Sequence, residues 1–129
     1  MKLLLIAAFA SLVSLSAFAQ HNDEHSAEVC STLDSTVCAH VGHMKDLAPS
    51  KSGSFVVHVT GPVETTNMSV LLWMPSMGHG TSPVTVTQFD VNKYNVTKAS
   101  FIMKGDWLVR IAFTAAGVIH HIDIPLVIK

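Results

Sequence analysis

The sequence predicts an all-β protein, an immunoglobulin-like antiparallel β-sandwich of about seven strands preceded by an irregular N-terminal arm. Three observations carry that expectation. From Gly53 onward, short runs rich in Val, Ile, Thr and Phe are bounded by Gly, Pro, Asn and Asp, the composition of strands and turns. No stretch of ten or more residues in that region keeps a 3.6-residue apolar period. A length of 129 residues leaves room for one domain.

Residues 1–19 carry Lys2, an apolar centre and the small-residue ending Ala17-Phe18-Ala19, the pattern of a cleaved secretory signal peptide. The expected destination is the periplasm, and the absence of a Cys just after the cut argues for an exported protein without a lipid anchor. Residues 20–52 are polar, rich in His and Ser, and lack sustained alternation; they read as the arm. Residues 53–129 form the sandwich, with strands expected at Ser54–Thr60, Asn67–Met74, Ser82–Phe89, Tyr94–Ala99, Ser100–Met103, Trp107–Thr114 and Val118–Ile128. Asn67–Met74 is apolar on both faces and is expected to be doubly covered.

Successive strand residues point to opposite faces. Trp107, Val109, Ile111 and Phe113 therefore form one inward row. Ile122, Ile124, Leu126 and Ile128 form another, headed by His120, while His121 and Asp123 point outward. His58 alternates with Val57 and Val59 and reads as structural.

After loss of the signal, seven Lys+Arg face nine Asp+Glu. That balance excludes a nucleic-acid partner held by phosphate neutralisation. The remaining chain has no run of 18 apolar residues and so no expected membrane span. No nucleophile turn, paired carboxylates or phosphate loop is present, so the expectation is a binding protein and not an enzyme. Cys30 and Cys38 fit a disulfide in an oxidising compartment. The competing reading is a soft-metal site with His40, His43 and Met44.

The chemistry concentrates in Met74-Pro75-Ser76-Met77-Gly78-His79-Gly80, where thioethers and an imidazole fall within six residues. Soft donors of this kind favour Cu(I), and imidazole also accepts Cu(II). Met77 and His79 lead the candidate ligands, on the expectation of an extended loop that points both the same way. Met74, His43, Met44 and His120 are candidates to complete the site. Met74 also reads as core filler and His120 as a hydrogen-bonded interior histidine. Met103 fits a hairpin closed at Gly105-Asp106, with a ligand role as its alternative. A chelate of Gln20 and His21 at the new N-terminus is a weaker copper idea.

The segment Trp73-Met74-Pro75-Ser76-Met77-Gly78-His79-Gly80, followed by Tyr94-Asn95-Val96 and by Phe101-Ile102-Met103-Lys104-Gly105-Asp106-Trp107, resembles the YtkA-like/FixH-like exported domains. The resemblance spans about Ser52 to Ile128. It implies an immunoglobulin-like sandwich and, for some relatives, copper handling or assembly of a haem-copper oxidase. This chain departs from the membrane-anchored FixH type in its cleavable N-terminus.

The leading functional expectation is thus a periplasmic copper-binding or copper-delivery protein, a metallochaperone whose partners are the copper ion and a periplasmic or membrane copper protein. The alternative is a non-metal protein-interaction module in which the Met-Pro loop is an apolar docking patch. A CopC-like arrangement would instead use an N-terminal His with His121 and Asp123.

Overall fold

A computed structural model describes residues 25–129; the expected signal peptide and the Gln20-His21 chelate lie outside the described residues. The described residues are all-β and make two antiparallel sheets. The strands are β1 (Val29–Cys30), β2 (Cys38–Lys45), β3 (Gly53–Thr60), β4 (Thr65–Met74), β5 (His79–Gly80), β6 (Thr85–Asp90), β7 (Lys93–Ala99), β8 (Gly105–Ala115) and β9 (Val118–Ile128). One sheet runs β1-β2-β3-β7-β6 and the other β5-β4-β8-β9. With β1 and β5 set aside as two-residue additions, these orders reproduce the four-plus-three arrangement of a constant-type immunoglobulin sandwich.

Alternation builds the core. In β3, Gly53, Phe55, Val57 and Val59 are buried and their neighbours are not. In β8, Trp107, Val109, Ile111, Phe113 and Ala115 face inward. They meet His120, Ile122, Ile124, Leu126 and Ile128 of β9 in unbroken register, with Trp107 opposite Leu126, Leu108 opposite Pro125 and Phe113 opposite His120. Phe101 packs edge-on against Trp107 at 5.2 Å between ring centroids. At one end of the sandwich a buried polar knot ties the sheets together. The Asn92 side-chain carbonyl accepts from the Thr65 N–H at 2.7 Å and from its hydroxyl at 2.9 Å, and the Tyr94 hydroxyl donates to the Thr65 carbonyl at 3.1 Å. Each buried polar group in this knot gains a partner and so escapes the penalty of an unmade bond.

Three expectations need correction. The segment read as an irregular arm contains β2, an eight-residue strand hydrogen-bonded on both sides, with Ala39 and Val41 fully buried in the core. The sandwich therefore starts well before residue 53. Ser100–Met103 is a connecting loop and not a strand: the Trp107 indole N–H donates to the Met103 carbonyl at 2.9 Å, which takes that carbonyl out of any ladder, and Gly105-Asp106 opens β8 instead of turning a hairpin. β4 is covered on one face only. Leu72 and Met74 are buried, but Leu71 is 45% exposed and Trp73 is half-buried beneath Arg110, whose guanidinium carbon lies 5.0 Å from the ring centroid.

Cys30 and Cys38 are joined by a disulfide, which answers the choice between pairing and soft-metal binding. Its sequence separation is 8, and closing so short a loop stabilises by roughly 2–3 kcal/mol in the chain-entropy description. The Cys30→Ser/Cys38→Ser double variant is expected to melt roughly 10 °C or more below the parent, read by circular dichroism. A chain beginning at Gly53 lacks β2 and is expected to show no cooperative thermal transition in the same measurement.

Candidate metal site

The loop between β4 and β5 is a tight turn and not the extended segment expected from sequence. The Met74 carbonyl accepts from the Met77 N–H at 3.2 Å and from the Gly78 N–H at 3.0 Å. Pro75 supplies the fixed φ that the second position of a turn favours, and Gly78 takes the left-handed conformation at φ 64°. The chain thus folds back so that His79 re-enters the sheet directly opposite Met74. Directly opposed residues share a face, so His79 lies on the side of the sheet that Met74 buries. Met77 stands at the turn, 56% exposed.

Around this pair the packing is close. Met74 is 2% exposed, and its terminal methyl lies 3.0 Å from where a Cβ on Gly105 would stand. Gly105 holds φ 135°, a conformation that leaves room for that thioether. His79 is half-buried, with its ring centroid 6.4 Å from that of Trp107. Trp107 in turn holds the backbone of Met103, itself 38% exposed. Met74, His79 and Met77 therefore gather at one rim of the sandwich, and the loop after β7 brings the Met103 backbone to the indole that His79 faces. The hairpin expected around Met103 is replaced by a loop tied to the Trp107 indole, and the ligand role weighed as the alternative for Met103 stays open.

The other candidates lie elsewhere. His43 and Met44 sit in the β2 bulge, where His43 is exposed at φ 49°. Met44 borders a cavity with Leu126, Val127 and Ile128 of β9. β9 and β5 are opposite edges of their sheet, about 14 Å apart at ordinary strand spacing, so His43 and Met44 do not join His79. His120 is buried, bonded through Nδ1 to the Ser31 hydroxyl at 2.7 Å and stacked on Phe113 at 5.5 Å. Its partner Phe113 lies six residues along β8 from Trp107, roughly 20 Å away at the strand rise. His120 is the interior, satisfied histidine, and is corrected from ligand to core. The CopC-like pair His121 and Asp123 does share an outer face, but Asp123 is engaged by Arg110 at 3.5 Å.

His40 and His43, which the sequence groups as candidate soft-metal ligands with Met44, belong to a larger cluster that the sequence does not assemble. β2 and β3 pair with His40 opposite His58, and both rings point away from the core. His25 and His43 join them around one cavity bordered by Phe89 and Lys93. Burial, then the neighbouring His40 and then Lys93 push the His58 imidazole below its ordinary value of 6.5, against the opposing pull of Glu28.

An immunoglobulin-type sandwich that carries a Met/His rim at the end of β4 is the class this geometry defines. The chain matches the YtkA-like family over residues 43–112, more than half of its length, and it belongs to that family. The matched span includes β4, the Met-Pro-x-Met-x-His turn and Trp107, and leaves out the disulfide loop, His25, His40 and β9. No curated protein and no solved structure matches the chain.

Because the folded-state value of His58 is lowered, the native state binds the ring proton less readily than the unfolded chain does. Its contribution to stability is present above about pH 6.5 and is lost as pH falls through the lowered value. The melting temperature is expected to fall on acidification from pH 7.5 to 5, with a shallower fall in His58→Gln. Parallel profiles for the two proteins would contradict this.

Proposed function

We propose that the protein is an exported, periplasmic copper-binding protein that takes up Cu(I) at the Met/His rim and passes it to another copper protein. One observation carries the reading: the β4–β5 register sets His79 directly across from Met74, with Met77 in the turn that joins them. The thioethers of Met74 and Met77 with the His79 imidazole would make a soft donor set that suits Cu(I) and disfavours hard cations, and Met103 is the candidate to complete it. Such a site binds and releases without chemistry on a substrate, which fits a carrier and not an enzyme. Burial of Met74 against Trp107 keeps one side of the ion dry, while exposed Met77 leaves the other side open to a receiving protein. Membership of the YtkA-like family, for some relatives of which the sequence resemblance implies copper handling, supplies the context for this reading.

A second reading has its own observation. Met77, Ile102 and Met103 are exposed at the same end, at 56%, 59% and 38%, an apolar patch suited to protein docking without metal.

Anaerobic titration with Cu(I) against a competing chelator separates the two. His79→Ala, Met77→Ala and the volume-conserving Met74→Leu are each expected to weaken Cu(I) by about tenfold or more, since even residues that only support a ligand cost that much. His120→Gln and Met44→Leu are expected to leave the affinity unchanged. Affinity indifferent to His79→Ala and Met74→Leu would overturn the copper reading and leave docking.

A further inference from the structure

We infer that the outer face of the five-stranded sheet carries a second, separate metal site, an all-imidazole site for a borderline divalent cation such as Zn²⁺, built from His25, His40, His43 and His58. The four rings surround one cavity of about 220 Å³. Ring centroids are 5.1 Å apart for His40 and His58, 5.8 Å for His25 and His40, and 6.1 Å for His25 and His43. With Zn–N bonds of about 2.0–2.1 Å in a tetrahedron, ligating imidazoles have centroids about 5 Å apart. Three of the six ring pairs are therefore at, or within about 1 Å of, the spacing that a shared ion imposes. Among the described residues no three of these histidines present nitrogens within 4.8 Å of one another. A shared ion therefore requires the rings to turn toward one another, led by exposed His25 and His43.

Three further observations point to a ligand. Among the described residues the buried Nδ1 atom of His40 has no hydrogen-bond partner, a costly state that coordination would relieve. Gly42 makes room for the His25 ring, because a Cβ there would lie 2.6 Å from His25 Nδ1. His25 is held in place by its neighbour: the Ser26 N–H donates to the Val41 carbonyl at 2.8 Å, and the Val41 N–H donates to the Ser26 hydroxyl at 2.7 Å. Lys93 borders the same cavity and opposes a cation by its charge.

Zinc is the discriminating probe, because thioethers bind it poorly and the Met/His rim is not expected to take it. Calorimetric titration of the purified protein with Zn²⁺ is expected to show one equivalent bound, with the ring NMR signals of His25, His40, His43 and His58 shifting together. The His40→Gln/His58→Gln double variant is expected to weaken binding by about tenfold or more. Gly42→Ala, which displaces the His25 ring, is expected to weaken it while the melting temperature reports an intact fold. Lys93→Gln is expected to tighten it, and His79→Ala and Met77→Ala to leave it unchanged. Absence of Zn²⁺ binding by the unaltered protein would overturn the inference. So would affinity that survives the double histidine substitution, or affinity lost with His79. Because Cu(I) titration reads the rim and Zn²⁺ reads the sheet, either site can fail without the other.

Discussion

The structure depends on one constraint, that alternate side chains of each long strand must be buried between two sheets. Burying Ala39 and Val41 in β2 and Val57 and Val59 in β3 leaves His40 and His58 no choice but the outer face. The β2–β3 register then sets those two rings side by side. The same rule in β4 sends Leu72 and Met74 inward, and the turn after Met74 returns His79 onto that side. Core packing thus determines both places where donor atoms accumulate, although no donor at either place contributes much to the core except Met74.

Much of the sandwich was legible because its strands are long and strongly patterned. β9 occupies Val118–Ile128 as read from the sequence, and the inward row of Trp107, Val109, Ile111 and Phe113 stands as alternation requires. β2 was not legible. Its buried positions are Cys38, the small Ala39, the single Val41 and Gly42, its other positions are histidines, Met44 and Lys45, and the bulge breaks the rhythm. A strand so poor in large apolar residues is held by its neighbours on both sides, and those neighbours are invisible to a local pattern. β4 misled in the opposite direction: Leu71 and Trp73 are apolar yet face outward, with Arg110 covering the indole.

The candidate ligands divide for a similar reason. Proximity along the chain found Met74, Met77 and His79, because a hairpin turn keeps near neighbours near. It failed for His43, Met44 and His120, which share the chemistry of the rim but belong to other elements. It also could not assemble His25, His40, His43 and His58, whose meeting depends on the pairing of β2 with β3 and on the Ser26–Val41 bonds. The two places differ in donor chemistry, sulfur-rich at the rim and nitrogen-only on the sheet face.

Pro125 has a consequence for association between molecules. Among the described residues β9 ends its sheet, so one long side of its backbone has no neighbour there in that layer. Such a margin invites a strand from another copy to add on, and flanking Val127 and Ile119, about 60% exposed, would sweeten the contact. The ladder with β8 runs past Pro125 without a slip, so the donor that proline lacks is missing from the unpaired side. An incoming strand would meet a gap there, and the sheet is blunted against growing into fibres.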